Sequence, residues 1–169
     1  MENYDIDPKT LNAVWQRVTA ARKEPPPEQE ANIDPPPPQK TDEQRLIELI
    51  DAASAAAEVY KACAARCSGK IRRELLALST AQSTAAQKLR ARYYILTGKS
   101  YWPPPSCPYV LSLTKTLKMR YEAERAAYTE YVQAANATRD TSLSDLYFAL
   151  AALSQRHADA LVCLLESLL

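Results

Sequence analysis

Residues 41–70 read TDEQRLIELIDAASAAAEVYKACAARCSGK, and this stretch decides the fold. Thr41 followed three residues later by Gln44 is a capping box, in which each side chain satisfies a backbone N–H of the other. Behind it Leu46, Ile50, Ala53, Ala57, Tyr60, Ala64 and Cys67 recur at alternating steps of four and three. That spacing lays an apolar seam along one face of a helix. Ser68-Gly69 supplies the stop, because glycine readily adopts the left-handed conformation past a helix end. A first long helix is predicted over 42–67.

The same reading extends outward. A second helix over 70–97 carries Ile71, Leu75, Leu78, Gln82, Ala85 and Leu89 on its seam and stops at Gly98. A third over 108–137, with Pro108 in its first turn, carries Leu113, Leu117, Arg120, Glu124, Ala127 and Tyr131. A fourth, capped by Ser142 with Asp145, runs to the end of the chain with Leu143, Leu150, His157, Leu161, Leu164 and Leu168. All twelve prolines lie before residue 40 or between 103 and 108, so neither 41–102 nor 109–169 contains a helix breaker. Four seamed helices make a four-helix bundle. The tight 1–2 and 3–4 turns make antiparallel hairpins, and the longer proline-bearing 2–3 link is suited to cross the bundle. The halves are weakly self-similar: Ala53-x-x-Ala56-x-x-x-Tyr60 matches Glu124-x-x-Ala127-x-x-x-Tyr131, and Gln82-x-x-Ala85 matches Ser154-x-x-His157.

Ahead of the bundle, Asp7-Pro8 reads as a cap and first turn of a short amphipathic helix over 8–23, with Leu11, Val14, Trp15 and Val18 on one face. Pro25–Pro27 and Pro35–Pro38 make 24–40 an extended linker. The expected organisation is an arm at 1–23, a linker at 24–40 and a bundle at 41–169. An arm this narrow needs a surface to dock on, and its exchange between two chains would give a homodimer. The proline-rich segment is either a spacer or a ligand for a partner's aromatic groove.

Composition removes whole classes of function. In 169 residues, 21 Lys and Arg against 20 Asp and Glu leave a net charge of +1, without the basic surplus of a nucleic-acid binder or a membrane-surface protein. Two glycines exclude glycine-rich phosphate loops, and one histidine excludes His-rich metal cages. No unbroken run of 18 apolar residues is present, so no membrane span is expected. The acidic start and the sparse Cys63, Cys67, Cys107 and Cys163 point to a cytoplasmic protein with reduced thiols.

The Trp15-Gln16-Arg17-Val18 helix, the hairpin repeat, and Tyr93, Thr97-Gly98 and Tyr101-Trp102 closing the second helix together resemble the rubrerythrin-like branch of the ferritin-like superfamily, as found in bacteria. The resemblance covers 11–169 and implies an all-α, ferritin-like four-helix bundle plus a short N-terminal helix. In that family each half supplies a Glu from its first helix and a Glu-x-x-His from its second, holding two metal ions. Here those positions hold Ala53, Gln82 and Ala85 in the first half, and Glu124, Ser154 and His157 in the second. Nearby acids do not replace them: Glu58 falls on another face, Asp51 lies off the seam and Glu74 is two turns from Gln82.

One carboxylate and one imidazole cannot offset the charge of two metal ions or bridge them. The expectation is a metal-free, cofactor-free, non-catalytic binding or assembly protein. Glu124 and His157 would then remain as a hydrogen-bonded core pair, with Arg120 one turn away to help satisfy the acid. The alternative is a rubrerythrin-like oxidoreductase or peroxide scavenger holding iron or another divalent ion at a residual Glu124/His157 site.

Overall fold

The structure, a computed structural model, describes residues 9, 12, 13, 16, 40–110 and 112–168. Chain contacts separate Met1–Gln39 from Lys40–Leu169. In the first unit the described residues Lys9, Asn12, Ala13 and Gln16 are helical. The rest of the expected arm and the 24–39 stretch of the linker lie outside the described residues.

The second unit is a four-helix bundle built from α1 (Asp42–Ala64), α2 (Gly69–Thr97), α3 (Leu113–Ala137) and α4 (Thr141–Glu166). The capping box forms as read: Gln44 N–H donates to Thr41 Oγ1 at 3.2 Å, and Thr41 N–H donates to Gln44 Oε1 at 3.1 Å. Gly98 closes α2 at φ +70°, in the left-handed region, with its N–H donating to the Tyr94 carbonyl.

α1 packs along α2, and α3 along α4, far more closely than the two hairpins approach each other. The connecting segment crosses the bundle lengthwise. α2 ends beside the start of α1, where the Tyr93 hydroxyl donates to Glu43 Oε1 at 3.3 Å, and the segment then passes the middle of α1, where the Tyr101 hydroxyl donates to Asp51 Oδ1 at 2.9 Å. It ends beside the α1–α2 turn, where Arg66 donates to the Val110 carbonyl. α3 then returns toward the start of α1, where Thr138 Oγ1 donates to Asp42 Oδ2 at 2.8 Å. α3 is therefore antiparallel to α1 and parallel to α2, the two-hairpin crossover arrangement expected.

Three boundaries differ from the sequence reading. α1 ends at Ala64, and its chain continues into a turn through Arg66 and Cys67. α3 begins at Leu113 and not at Pro108. The bond from Arg66 to the Val110 carbonyl holds that stretch against the α1–α2 turn, outside a helical turn. α4 is capped by Asp140, whose Oδ1 accepts from Leu143 N–H at 3.0 Å, and not by Ser142. The expectation of no membrane-spanning candidate also changes. α4 is long and apolar enough to cross a membrane by length and composition alone, with a best-window mean hydropathy of 1.2. Its apolar side nonetheless faces the bundle, where Leu143, Tyr147, Leu150, Leu161 and Leu164 are buried.

The buried apolar side chains form two clusters. One, around Leu46, Ile50, Leu89, Tyr93, Tyr131 and Tyr147, fills the end where α1 starts. The other, around Tyr60, Leu75, Leu78, Leu117, Leu161 and Leu164, fills the end where α1 stops. Burial of a large apolar side chain stabilises by roughly 1.5–3 kcal/mol each, so these two clusters carry the fold. Among the described residues the buried polar ones are Ser79, Gln82, Glu124, Ser154 and His157.

Candidate functional site: a buried carboxylate cluster

Each helix of the bundle sends one polar side chain or more to a common point. Glu124 of α3 is at its centre and is fully buried, at 0% exposure. Its Oε1 accepts three donors: Tyr60 Oη of α1 at 2.7 Å, Gln82 Nε2 of α2 at 2.8 Å and Arg120 Nη2 of α3 at 3.1 Å. His157 of α4 places Nδ1 3.6 Å from Oε2. That same Nδ1 lies 3.3 Å from Gln82 Nε2. With a proton on Nδ1 the ring faces the carboxylate as a donor, and in the tautomer protonated only at Nε2 it accepts from Gln82. Glu124 Oε2 takes no hydrogen bond.

The local reasons are helical. Arg120 and Glu124 are one turn apart, so the guanidinium reaches back along α3 to the acid. The Arg120 side chain is 19% exposed, which leaves it a route to water while its inner edge neutralises Glu124. It also lies over the Tyr60 ring, its Cζ 5.2 Å from the ring centre.

Burial alone pushes the Glu124 carboxyl up. The neighbouring His157 ring, the hydrogen bond from Tyr60 and the charge of Arg120 together outweigh it and hold the group below the ordinary carboxylate value. Burial and the adjacent Glu124 charge drive the Tyr60 hydroxyl far above its usual range, so it stays a donor.

Beside this cluster, α1 and α3 leave a cavity of about 180 Å³. Its walls are Ala52, Ala53 and Ala56 from α1 and Ala123, Ala126 and Ala127 from α3. Gln82, Glu124 and Ser154 also line it, with Arg120 and Glu130. The sequence-derived positions Ala53, Gln82, Glu124 and Ser154 thus meet around one space, whereas His157 sits beside Glu124 and does not line it. Ala85 does not join them. It packs in the apolar cluster with Leu46, Leu49 and Ile50.

The donor set does not fit a pair of metal ions. Among the described residues no group of three or more His, Cys, Asp and Glu side chains gathers to hold one. The one central carboxylate already has a guanidinium at 3.1 Å, a cation where a dinuclear centre needs a metal. The neighbouring acids are engaged or remote: Asp51 accepts from Tyr101, Glu58 is exposed 3.9 Å from Lys61 Nζ, and Glu74 is exposed.

One part of the cluster was not assigned its role from the sequence. Tyr60 reads there as packing on the seam, yet it is the shortest donor to Glu124. The signal was available: a tyrosine on the first helix and an acid on the third, both on inward seams. Of the other tyrosines read as packing, Tyr93 and Tyr131 are buried and Tyr121 half-buried, whereas Tyr94 and Tyr128 are exposed. All four cysteines are free thiols; Cys63 is buried, Cys67 half-buried, and Cys107 and Cys163 exposed.

No protein-family model and no curated protein matches the chain. Among solved structures, a hypothetical protein from Pyrococcus furiosus is similar, with a TM-score of 0.67 and 19% identity over 82% of this chain and 92% of that one. At that identity the likeness concerns the fold: an all-α, four-helix bundle.

Proposed function

We propose that this protein is a metal-free relative of ferritin-like, rubrerythrin-type bundles that acts by binding or assembly rather than by catalysis. The observation that carries the reading is the coordination of Glu124. Its Oε1 is filled by Tyr60, Gln82 and Arg120, three donors from three different side chains. A guanidinium supplies the positive charge that a metal would supply, and Ala53 and Ser154 stand where further acids would be needed. The proposed setting is the cytoplasm, consistent with free thiols at Cys63, Cys67, Cys107 and Cys163. Assembly through exchange of the 1–23 arm remains part of the proposal. It predicts a dimer in light scattering as concentration rises, and a strict monomer would remove it.

The test of the metal-free reading is elemental analysis of the full chain purified without chelators. The expected result is no stoichiometric iron, manganese or zinc. A pair of such ions per chain would overturn the reading.

A second reading, a weak single-metal site with oxidoreductase or peroxide-scavenging activity, has one observation in its favour. Glu124 Oε2 accepts no hydrogen bond, and His157 Nδ1 is 3.6 Å from it. Calorimetric titration with manganese or zinc, repeated on Glu124→Gln, separates the two. Saturable binding lost in the variant favours the second reading.

A further inference from the structure

Where α2 meets the connecting segment, the bundle exposes a surface that the Glu124 cluster does not use. Gln87, Arg90, Ala91 and Tyr94 of α2 and Tyr101 and Trp102 of the segment line a groove there. Trp102 is 70% exposed and Tyr94 57%. Arg90 places Cζ 3.4 Å from the Trp102 ring centre, so the ring braces the guanidinium. Among the described residues Arg90 is the one charged side chain lining this groove, and it enters no ion pair. It is half-buried; its Nε is covered, and a carboxylate reaches it from the groove side. The sequence around it is one-sided in charge: from Leu75 to Tyr121 there is no Asp or Glu, while Lys88, Arg92 and Lys99 accompany Arg90. On α1, Glu43 accepts from the Tyr93 hydroxyl and Asp51 from that of Tyr101. The adjoining groove beside Pro103–Pro105 holds Asp51 and Glu58 and so disfavours an acidic ligand, which confines one to the Tyr94 side of Trp102.

Exposed aromatic rings beside a lone guanidinium suit an acidic, proline-rich peptide. The rings pack on pyrrolidine faces, the polyproline helix loses little entropy on docking, and the acid pairs with the cation. The chain carries such a motif twice. Glu24-Pro25-Pro26-Pro27-Glu28-Gln29 and Asp34-Pro35-Pro36-Pro37-Pro38-Gln39 both read acid-Pro-Pro-Pro-x-Gln, and the stretch 24–39 has four acids and no Lys or Arg. The spacing agrees as well. Arg90 and Tyr94 are one helical turn apart, ~6 Å along α2, and the second proline after the acid lies ~6 Å along a polyproline helix.

We infer that this groove receives the acid-Pro-Pro-Pro motif of a second copy of this chain, Glu24 or Asp34 pairing with Arg90 and the following prolines packing on Tyr94 and Trp102. Each copy both gives and receives, so a two-fold pair closes two contacts at once. The inference rests on the reading that the protein acts by binding or assembly, and it names the partner.

The experiment follows self-association of the full chain by analytical ultracentrifugation, with circular dichroism to show that each variant folds. The parent is expected to dimerise reversibly. Arg90→Glu on the groove, and Glu24→Lys with Asp34→Lys on the motifs, should each weaken the dimer roughly tenfold or more, the scale of a lost charge-assisted contact. Trp102→Ala, at an exposed position, should do the same without touching a charge. The decisive sample is a mixture of the Arg90→Glu chain with the Glu24→Lys, Asp34→Lys chain. Neither pairs well with itself, but together they form one native contact and one with its charges exchanged, so a heterodimer should appear. A dimer that survives every variant overturns the groove assignment and leaves assembly by another surface standing. Variants that lose the dimer and fail to pair in the mixture also overturn it. A parent that stays monomeric at all concentrations overturns the groove together with the assembly reading beneath it.

Discussion

Tyr60→Phe isolates the shortest contact in the cluster. The substitution keeps the ring, which is fully buried, and removes only the hydroxyl that donates to Glu124 Oε1 at 2.7 Å. A hydrogen bond to a charged group contributes about 1.5–3 kcal/mol net. Oε1 retains Gln82 and Arg120, so the acid is not stranded, and the loss should fall in the lower half of that range, about 2 kcal/mol. For a bundle of this size that is a fall in Tm on the order of 5–10 °C. Urea unfolding followed by circular dichroism gives the free energy, and an unchanged m-value shows that the two-state comparison holds. The decisive measurement is the double-mutant cycle with Glu124→Gln. If Tyr60 acts through the carboxylate, its removal costs much less when the charge is already gone, with a coupling of about 1 kcal/mol or more. A loss at pH 7 below ~0.5 kcal/mol, the range of an ordinary surface change, or the same loss in both backgrounds, would refute this account.

Three further outcomes follow from the same geometry. Because the folded protein holds Glu124 below its ordinary value of 4.5, its contribution is complete above that value and is lost as pH falls through the lower folded value. Acid unfolding of Glu124→Gln should therefore show a flatter limb below pH 4.5 than the parent, and parallel limbs would contradict the cluster's role. Gly98→Ala should cost about 1 kcal/mol in chemical denaturation, because φ is +70° while the space around an added Cβ is open, so only backbone strain is charged. In a thiol-labelling time course Cys107 and Cys163, which are exposed, should react first. Cys63, buried and with its thiol pushed up by that burial, should react only as the bundle unfolds, and rapid labelling of it in the native state would contradict the packing.

The fold was legible because its determinants are periodic. Leu46, Ile50, Ala53, Ala57, Tyr60 and Ala64 are all buried as their spacing requires, and so are Leu75, Leu78, Gln82, Ala85 and Leu89. The start at Thr41 and the stop at Gly98 are local backbone chemistry, visible in a few adjacent residues. Gln82, Glu124, Ser154 and His157 were legible as inward positions for the same reason. What escaped was decided across the bundle. Pro108 suits a helix start, but Val110 is held by Arg66, a residue 44 positions away. Tyr60 and Glu124 are 64 positions apart, and no local pattern announces a hydrogen bond between them. The cavity is likewise a product of two facing alanine-rich surfaces and of no single segment.

The carboxylate cluster also works as a key. Alanine-lined helices present shallow, repetitive surfaces that tolerate sliding, and the two hairpins meet through few close backbone approaches. A slip of one hairpin by a single turn, ~5.4 Å along the axis, would carry Glu124, with Arg120 and His157 of its own hairpin, away from Tyr60 and Gln82, and cost the buried acid two of its three Oε1 donors. Each hydrogen bond to a charged group contributes about 1.5–3 kcal/mol net, so losing two is a large share of the stability of a domain this size. The two hairpins are therefore held to one longitudinal register, and Glu124 sets the gauge for the whole assembly.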